Sequence, residues 1–318
     1  LECGRVLFRS SHPAPAPARA NRTPELLGRR PDGFHELRPV LLALDLCDRV
    51  HVRCDSRQQT PLQLEVTGPA VSDDIPADDR NLVQRAAQLA LDRLADLGAA
   101  PLPPLRIELE KHIPSQAGLG GGSSDAAASL RAVQAIAGRD LGREWRQETL
   151  AELGSDCVFF DTGAVVALCE GRGERVRVLP TPHQWSVALV VPDVTCSTGE
   201  VFGRIAPDFV SSSASRSHTD LLAQDPGAAR DSLFNDLEPA AREVEPLLGA
   251  WADLLTEAGL DHYRLTGSGS SLFGLYADSE EAQGDLAAVS NLASERGLGV
   301  RLACCVPCWD GAGEAPGP

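Results

Sequence analysis

Between residues 114 and 127 the chain reads PSQAGLGGGSSDAA, the segment whose residue types most directly offer chemistry. Gly118, Gly120, Gly121 and Gly122 stand between an alternating strand candidate, Leu105–Glu110, and an Ala-rich helix candidate, Ser123–Ile136. Glycine lets a backbone approach a ligand closely and adopt positive φ. A helix opening directly after such a loop presents unpaired N–H groups and the positive end of its dipole, which together attract anions. Ser123 and Ser124 add hydroxyls suited to phosphate or a metal ion, and Asp125 falls in the first helical turn. A glycine-rich surface turn before an N-capped helix would carry the same letters. No lysine follows the glycines, so this is not a Walker loop, and Asp125 stands where a dinucleotide fingerprint needs glycine. A second glycine cluster, Leu265–Phe273 (LTGSGSSLF), lies far along the chain between a helix and a strand candidate. Two such clusters favour convergence on one nucleotide.

Other residues could complete a reaction centre. Phosphoryl transfer to a hydroxyl calls for alignment, charge neutralisation and a nearby base. Asp156, after Gly154-Ser155 and before an apolar stretch read as a strand, offers a carboxylate for that task; a turn or cap role is the alternative. Phe34 stands in a polar loop, RRPDGFHE, where an exposed ring invites stacking on a base. Phe34 and Phe202 could equally be core, the usual fate of Phe. Lys111, just before the first glycine loop, is the only lysine among 29 basic residues. His51, His112, His183 and His218 belong to no constellation and read as structural or solvent-facing.

The elements that must hold these residues follow from periodicity. Val50–Cys54, Leu62–Val66 and Leu105–Glu110 read as strands. Leu82–Leu97 has helical spacing and stops before Gly98. Residues 164–169 and 185–191 read as apolar strands, with a domain change expected near Pro182 and Pro192. Residues 206–232 read as loop around a short helix. Helical stretches at 236–258 and 279–296 flank the strand Ser271–Tyr276, and Val300–Val306 closes a sheet. The Pro- and Ala-rich SHPAPAPAR at 11–19 reads as an extended or disordered lead-in. The mixed order favours α+β over a doubly wound parallel sheet.

Composition narrows the class. The 318 residues suffice for one large or two modest domains, and 43% apolar content is ordinary for a soluble protein. Apolar runs are too short to span a bilayer, and no charged-then-apolar leader opens the chain, so neither membrane nor secretion is expected. The net charge of −16 argues against nucleic acid and anionic membrane as partners. Nine scattered cysteines read as reduced thiols of a cytoplasmic protein, with Cys305-x-x-Cys308 the thiols of a final strand rather than half a zinc site.

The segment 114–127, in the form P-x-x-x-GLGGGSS-x-AA, and LTGSGSS at 265–271 together resemble the second and third signature motifs of the GHMP kinases. That family includes galactokinase, homoserine kinase, mevalonate kinase and phosphomevalonate kinase. GRRPDGFHEL (28–37), Asn81-Leu82-Val83, GSDCVFF (154–160), STGEVF (197–202) and NDLE (235–238) are most similar to the branch that acts on a cytidine-diphosphate-linked methylerythritol. The resemblance implies a two-lobed α+β fold. An N-terminal lobe like ribosomal protein S5 domain 2 would span 1–183, a ferredoxin-like C-terminal lobe 184–308, and a tail 309–318. It implies a cytoplasmic kinase, monomer or homodimer, that uses ATP and Mg²⁺ to phosphorylate the 2-hydroxyl of a small-molecule polyol in the non-mevalonate isoprenoid pathway. ATP would contact Asn81, Lys111, Gly118, Leu119, Gly120, Gly121, Gly122, Ser123 and Ser124. Asp156 and Arg19 would be catalytic, and Asn21, Phe34, His35, Thr198, Phe202, Gly267 and Ser268 would hold the acceptor. Phe34 and Phe202 would sandwich the cytosine while His35 reads its edge; metal ligands stay unassigned, with Ser123, Ser124 and Asp125 as candidates. A homoserine or phosphomevalonate type of acceptor is the alternative within the family, and a nucleotide-binding homologue without turnover the alternative outside catalysis.

The chain departs from the family pattern at several positions. Arg19 occupies the place of a lysine in the first motif; it keeps the charge but is bulkier and does not readily give up a proton. Pro24 should interrupt the strand after that motif. Cys157-Val158 replaces Val-Pro, and Ser115-Gln116 replaces small apolar residues before the glycines.

Overall fold

The computed structural model describes residues 11–180, 185–211, 230 and 232–307. A first sheet contains β1 (Ser11–Asn21), β4 (Val40–Cys54), β5 (Leu62–Thr67), β6 (Leu105–Glu110), β7 (Val166–Glu170) and β8 (Arg175–Val178). Its order is β5-β6-β4-β7-β8, with β1 paired to β4. β5 and β6 are parallel and joined through helix α1 (Leu82–Asp96), whereas the other pairings are antiparallel. Helices α2 (Gly121–Ala137), α3 (Arg143–Leu153) and α4 (Cys157–Thr162) share a buried apolar cluster with α1 and one face of this sheet. A second, wholly antiparallel sheet has the order β10-β11-β9-β12, from β9 (Ser186–Pro192), β10 (Arg264–Leu265), β11 (Leu272–Tyr276) and β12 (Val300–Cys305). α5 (Thr198–Arg204), α6 (Glu238–Val244), α7 (Leu247–Glu257) and α8 (Ser279–Glu295) pack with its outer face. A hairpin of β2 (Leu26–Arg29) and β3 (His35–Leu37) stands apart from both sheets.

Strand alternation shows how the layers stack. Val187, Leu189 and Val191 of β9 join a core that also holds Val40, Leu42 and Leu44 of β4. Ala188 and Val190, one residue out of phase, join the core under the C-terminal helices. Successive strand residues face opposite sides, so the two sheets lie face to face, with helices outside each.

β1 corrects the reading of residues 11–19 as a lead-in. Ala14, Ala16, Ala18 and Ala20 are all buried, and the strand pairs with β4 along its whole length. Alternating Pro and Ala is itself a period-2 pattern, and Pro13, Pro15 and Pro17 place their missing donors along a strand edge, where proline is tolerated. The pairing register shifts between Pro17 and Ala18. Ala14 and Ala16 therefore face the helix-covered core, whereas Ala18 and Ala20 face the second sheet. That irregularity turns Arg19 toward the helices, as bulges near functional sites do.

Other boundaries moved for identifiable reasons. The stretch after Asp156, read as a strand, is the short helix α4, because Cys157, Val158, Phe159 and Phe160 bury themselves by helical packing. α2 starts at Gly121 rather than Ser123, so two glycines of the loop lie in its first turn. The helical stretch 236–258 breaks at Glu245–Pro246 into α6 and α7, since proline restricts the residue before it. Pro24 follows the end of β1 at Asn21, and the chain resumes as β2 at Leu26, so the strand is interrupted there. β4 extends far beyond Val50–Cys54, to Val40. The expected boundary at 183/184, most of the loop 206–232, His183, His218, Cys308 and the tail 309–318 lie outside the described residues. Cys54, Cys157, Cys169, Cys196, Cys304 and Cys305 are free thiols.

Leu189, fully buried between the sheets, gauges their packing. Leu189→Ala should cost about 2–5 kcal/mol in urea unfolding, whereas Val178→Ala, 55% exposed on β8, should stay within about 0.5 kcal/mol.

Candidate functional site

The two glycine loops meet back to back. Gly118 has φ 67°, and a Cβ on it would lie 2.3 Å from the Thr266 carbonyl and 2.6 Å from that of Gly269. Thr266 Oγ1 donates to the Gly118 carbonyl at 3.0 Å and accepts from the Asn21 amide at 2.9 Å. The Ser271 amide donates to the Ala117 carbonyl at 3.1 Å. Asn235, of the NDLE segment, fastens the second loop by donating to the carbonyls of Leu265 and Gly267, both at 2.8 Å. The two clusters, expected to converge on one nucleotide, are in direct contact with each other.

Arg19 joins these loops to Asp156. Its amide donates to the Leu119 carbonyl at 2.8 Å. Nε and Nη2 donate to Asp156 Oδ2 at 3.1 and 2.7 Å, while Nη1 donates to the Gly118 carbonyl and reaches Thr266 Oγ1 at 3.4 Å. Gly120, with φ 73°, leaves room for the arginine stem: a Cβ there would lie 2.9 Å from Arg19 Cγ and 3.2 Å from the Phe160 ring. Asp156 precedes α4, the apolar helix whose burial fixes the position of its carboxylate.

Most of the residues expected to contact the nucleotide line a cavity of about 1060 Å³, which Arg19 and Asp156 also line. Asn81 caps α1 by accepting from the Val83 amide at 3.0 Å, and its Nδ2 donates to the Pro76 carbonyl at 2.7 Å. Gly118, Leu119, Gly120, Gly121, Gly122 and Ser123 form the floor, where the α2 N-terminus points its free amides. Ser124 is fully buried behind that floor, its hydroxyl without a partner. Lys111 lines the cavity yet is only 4% exposed, and its Nζ bonds to Asp48 and, at 2.7 Å, to Asp125. Burial works against the Lys111 charge, but Asp125 and Asp48 outweigh it and raise its pKa. Burial pushes the Asp125 carboxyl well above the usual range, against the pull of Lys111. A Cβ on Gly121 would lie 3.2 Å from Lys111 Nζ, so the ammonium sits directly beneath the phosphate loop.

At the cavity's other end stand the residues expected to hold a base. Phe34 is 52% exposed, and the Arg172 guanidinium lies 4.8 Å from its ring centroid, a cation–π arrangement. His35 and Phe202 lie ring to ring at 5.3 Å. His35, rather than Phe34, is thus the immediate neighbour of Phe202. His35 Nε2 is buried without a partner, and burial followed by the charge of Arg29 lowers the ring's pKa, keeping it neutral at pH 7. Thr198, at the start of α5, bonds the Ser268 hydroxyl at 2.8 Å, bringing α5 to the second glycine loop. Asn21 Oδ1 is likewise buried without a partner, and Gly267 lines the cavity beside it.

Sequence reasoning missed Arg172, Thr266, Asp48 and a role for Asn235. Thr266 and Asn235 lie inside the quoted LTGSGSS and NDLE segments, and Arg172 carries a weaker signal, an arginine flanked by glycines in a GRGE turn. Asp48 lies within a strand and is distant in sequence from everything it touches, so no pattern marked it.

The family model "GHMP kinases N terminal domain" matches residues 81–167, and "GHMP kinases C terminal" matches 217–295. The chain is 35% identical to a 4-diphosphocytidyl-2-C-methyl-D-erythritol kinase of Rhodopirellula baltica, over 84% of this chain and 87% of that one. It is 36% identical to the protein of the same name from Methylococcus capsulatus, over 85% and 84%. A crystal structure of 4-(cytidine 5'-diphospho)-2C-methyl-D-erythritol kinase superimposes with TM-score 0.70 at 28% identity, covering 95% of this chain and all of that one. Homoserine kinase from Cytophaga hutchinsonii also gives TM-score 0.70 over 95% of this chain, but at 19% identity it shows shared fold alone. The chain belongs to the GHMP kinase family, with that family's two-lobed architecture.

Gly118→Ala should force the two loops apart, costing about 1–3 kcal/mol. Thermal unfolding and ATP titration should show both a lower midpoint and weakened ATP binding, whereas Gly138→Ala, equally left-handed but with open space around its Cβ position, should leave ATP binding intact.

Proposed function

We propose that this protein transfers the γ-phosphoryl group of ATP to the 2-hydroxyl of 4-diphosphocytidyl-2-C-methyl-D-erythritol, in the cytoplasm, as a step of non-mevalonate isoprenoid synthesis. The observation that carries this reading is the Arg19–Asp156 ion pair, which lines one cavity together with the glycine loop 118–122 and with Phe34, His35 and Phe202. The names of the relatives supply the acceptor, and the GRRPDGFHEL hairpin supplies the residues that would recognise its cytidine.

The triphosphate would lie along Gly118–Ser123, its charge met by the α2 amides. The Ser123 hydroxyl, which lines the cavity, would be the residue to hold Mg²⁺, whose chemistry there would be to neutralise charge on the transferring group. Asp125 is taken up by Lys111 and is a poor metal ligand here. Asp156 would accept the hydroxyl proton and orient the nucleophile, because a loose transition state depends on positioning more than on strong base catalysis. Arg19 holds that carboxylate from two nitrogens and adds positive charge beside the reacting oxygens. The neutral His35 ring offers one donor and one acceptor to a pyrimidine edge, and Phe34 and Phe202 offer faces to its ring.

Acceptor-dependent ADP release with ATP and Mg²⁺ tests the reading. Turnover with the cytidine-linked acceptor is expected, with Asp156→Ala lowering kcat by about 10²–10⁴-fold. Arg19→Lys should lower kcat as well, since lysine cannot make the two-nitrogen contact. Turnover with homoserine or phosphomevalonate instead would overturn the acceptor, and recovery of an otherwise silent parent by Arg19→Lys would mark a decayed kinase.

A further inference from the structure

The cavity has two facing walls on its nucleotide side. One is the irregular segment 68–81 that leads into α1; the other is the lip of the phosphate loop at Pro114–Ala117. The segment's ends are fixed: the Ala70 amide donates to the Lys111 carbonyl at 3.0 Å, and Asn81 holds the Pro76 carbonyl. Its middle is held by one carboxylate. Asp74 Oδ2 accepts from Ser115 Oγ at 2.6 Å and from Gln116 Nε2 at 3.0 Å, while Oδ1 accepts from Ser72 Oγ at 2.5 Å. Asp74, Ile75, Pro76, Ser115 and Gln116 all line the cavity.

The two residues that meet Asp74 from the phosphate-loop side, Ser115 and Gln116, are the ones where this chain departs from small apolar residues before the glycines. Gln116 is also the one non-glycine with positive φ among the described residues, at 52°, and its carbonyl accepts from the Cys196 amide of the C-terminal half at 3.3 Å. A left-handed glutamine costs conformational energy unless its surroundings hold it there. Asp74 on one side and Cys196 on the other do so. The serine bond first, then those of Ser72 and Gln116, hold the Asp74 carboxyl down to about 2, so it is ionised and accepts throughout the neutral range.

We propose that Asp74, Ser115 and Gln116 form a latch that positions the nucleotide, joining the adenine-side wall to the phosphate loop and fixing the width of the cleft between them. Asp74 is a positioning residue: it acts through the two walls and has no part in the transfer itself. The assignment rests on the kinase reading for the location of ATP, so its test uses nucleotide binding as well as turnover.

ATP with Mg²⁺ and no acceptor is titrated calorimetrically against the parent, Asp74→Ala, the Ser115→Ala/Gln116→Ala pair and the triple variant. Asp74→Ala is expected to weaken ATP binding about tenfold, the scale of one or two lost hydrogen bonds. The triple variant should bind no more weakly than Asp74→Ala, because all three changes remove one device. With acceptor present, KM for ATP should rise in step while kcat at saturating ATP and KM for the acceptor stay put, and the ligand-free melting temperature should change little. Unchanged ATP affinity in Asp74→Ala would sink the latch, as would penalties that multiply in the triple variant. A fall in kcat with a lowered melting temperature would also overturn it, by showing a general scaffold role. A parent that binds ATP but turns over no acceptor would fail the kinase reading alone, and one that binds no ATP would fail both.

Discussion

The Arg19 guanidinium binds together the parts of the site that the chain supplies from far-separated places. Its three nitrogens reach Asp156 before α4, the Gly118 carbonyl in the first glycine loop and Thr266 in the second. Only a planar fork with several fixed donors can satisfy such a set at once. Much else in the structure accommodates it. The register shift in β1 aims the side chain, Gly120 leaves space for its stem, and Gly267 leaves space beside its head, 3.2 Å from a would-be Cβ.

Beneath the phosphate loop a second set of charges fixes the start of α2. Lys111, Asp48 and Asp125 are all nearly inaccessible to water. Burying charge is expensive unless each group is paired and hydrogen-bonded. Asp48 meets that demand, accepting from the amides of His112 at 2.5 Å and Ile113 at 2.8 Å besides the ammonium. Such a cluster contributes less to net stability than to geometry, since most displacements would leave a buried charge unpaired. It ties β4, the residues after β6 and the first turns of α2 into one arrangement, and the anion site at the helix N-terminus inherits that rigidity. A protein with net charge −16 that is proposed to take anionic substrates would need local order of this kind, because its global field opposes their approach.

Much of this was legible in the sequence. Glycine loops report themselves, because only glycine tolerates the positive φ and the contacts at Gly118 and Gly120. Amphipathic α1 and the alternating β5 and β6 are likewise visible, since one face of each is buried. Three things were not. β1 hid behind its prolines, because its signal is small alanines rather than bulky β-branched residues, and its partner lies on another strand. The α4 residues CVFF carry no periodicity over so short a span, so helix and strand could not be told apart. Lys111 stood out as the lone lysine, but its pairing with Asp48 depends on sheet register that no local pattern encodes. Residues that line the cavity, among them Gly118, Lys111 and Asp156, could be named from the sequence; the long-range partners that hold them could not.

The arginine in the first motif is best understood together with its surroundings. An ammonium is a compact point charge with one nitrogen, so a lysine at position 19 could meet Asp156 or the glycine loops but not all of them in the same geometry. In this chain Thr266 is placed to receive Nη1 while also bonding the Asn21 amide and the Gly118 carbonyl. The arginine is therefore built into the hydrogen bonding of both glycine loops rather than accommodated as an isolated exchange. Its proton-holding character then suits the proposed roles, in which the carboxylate would take the proton and the cation would orient it. The geometry is compatible with that division of labour: Asp156 has a second oxygen, Oδ1, that Arg19 does not engage. In the proposed reaction, that oxygen would be the one left for the acceptor hydroxyl.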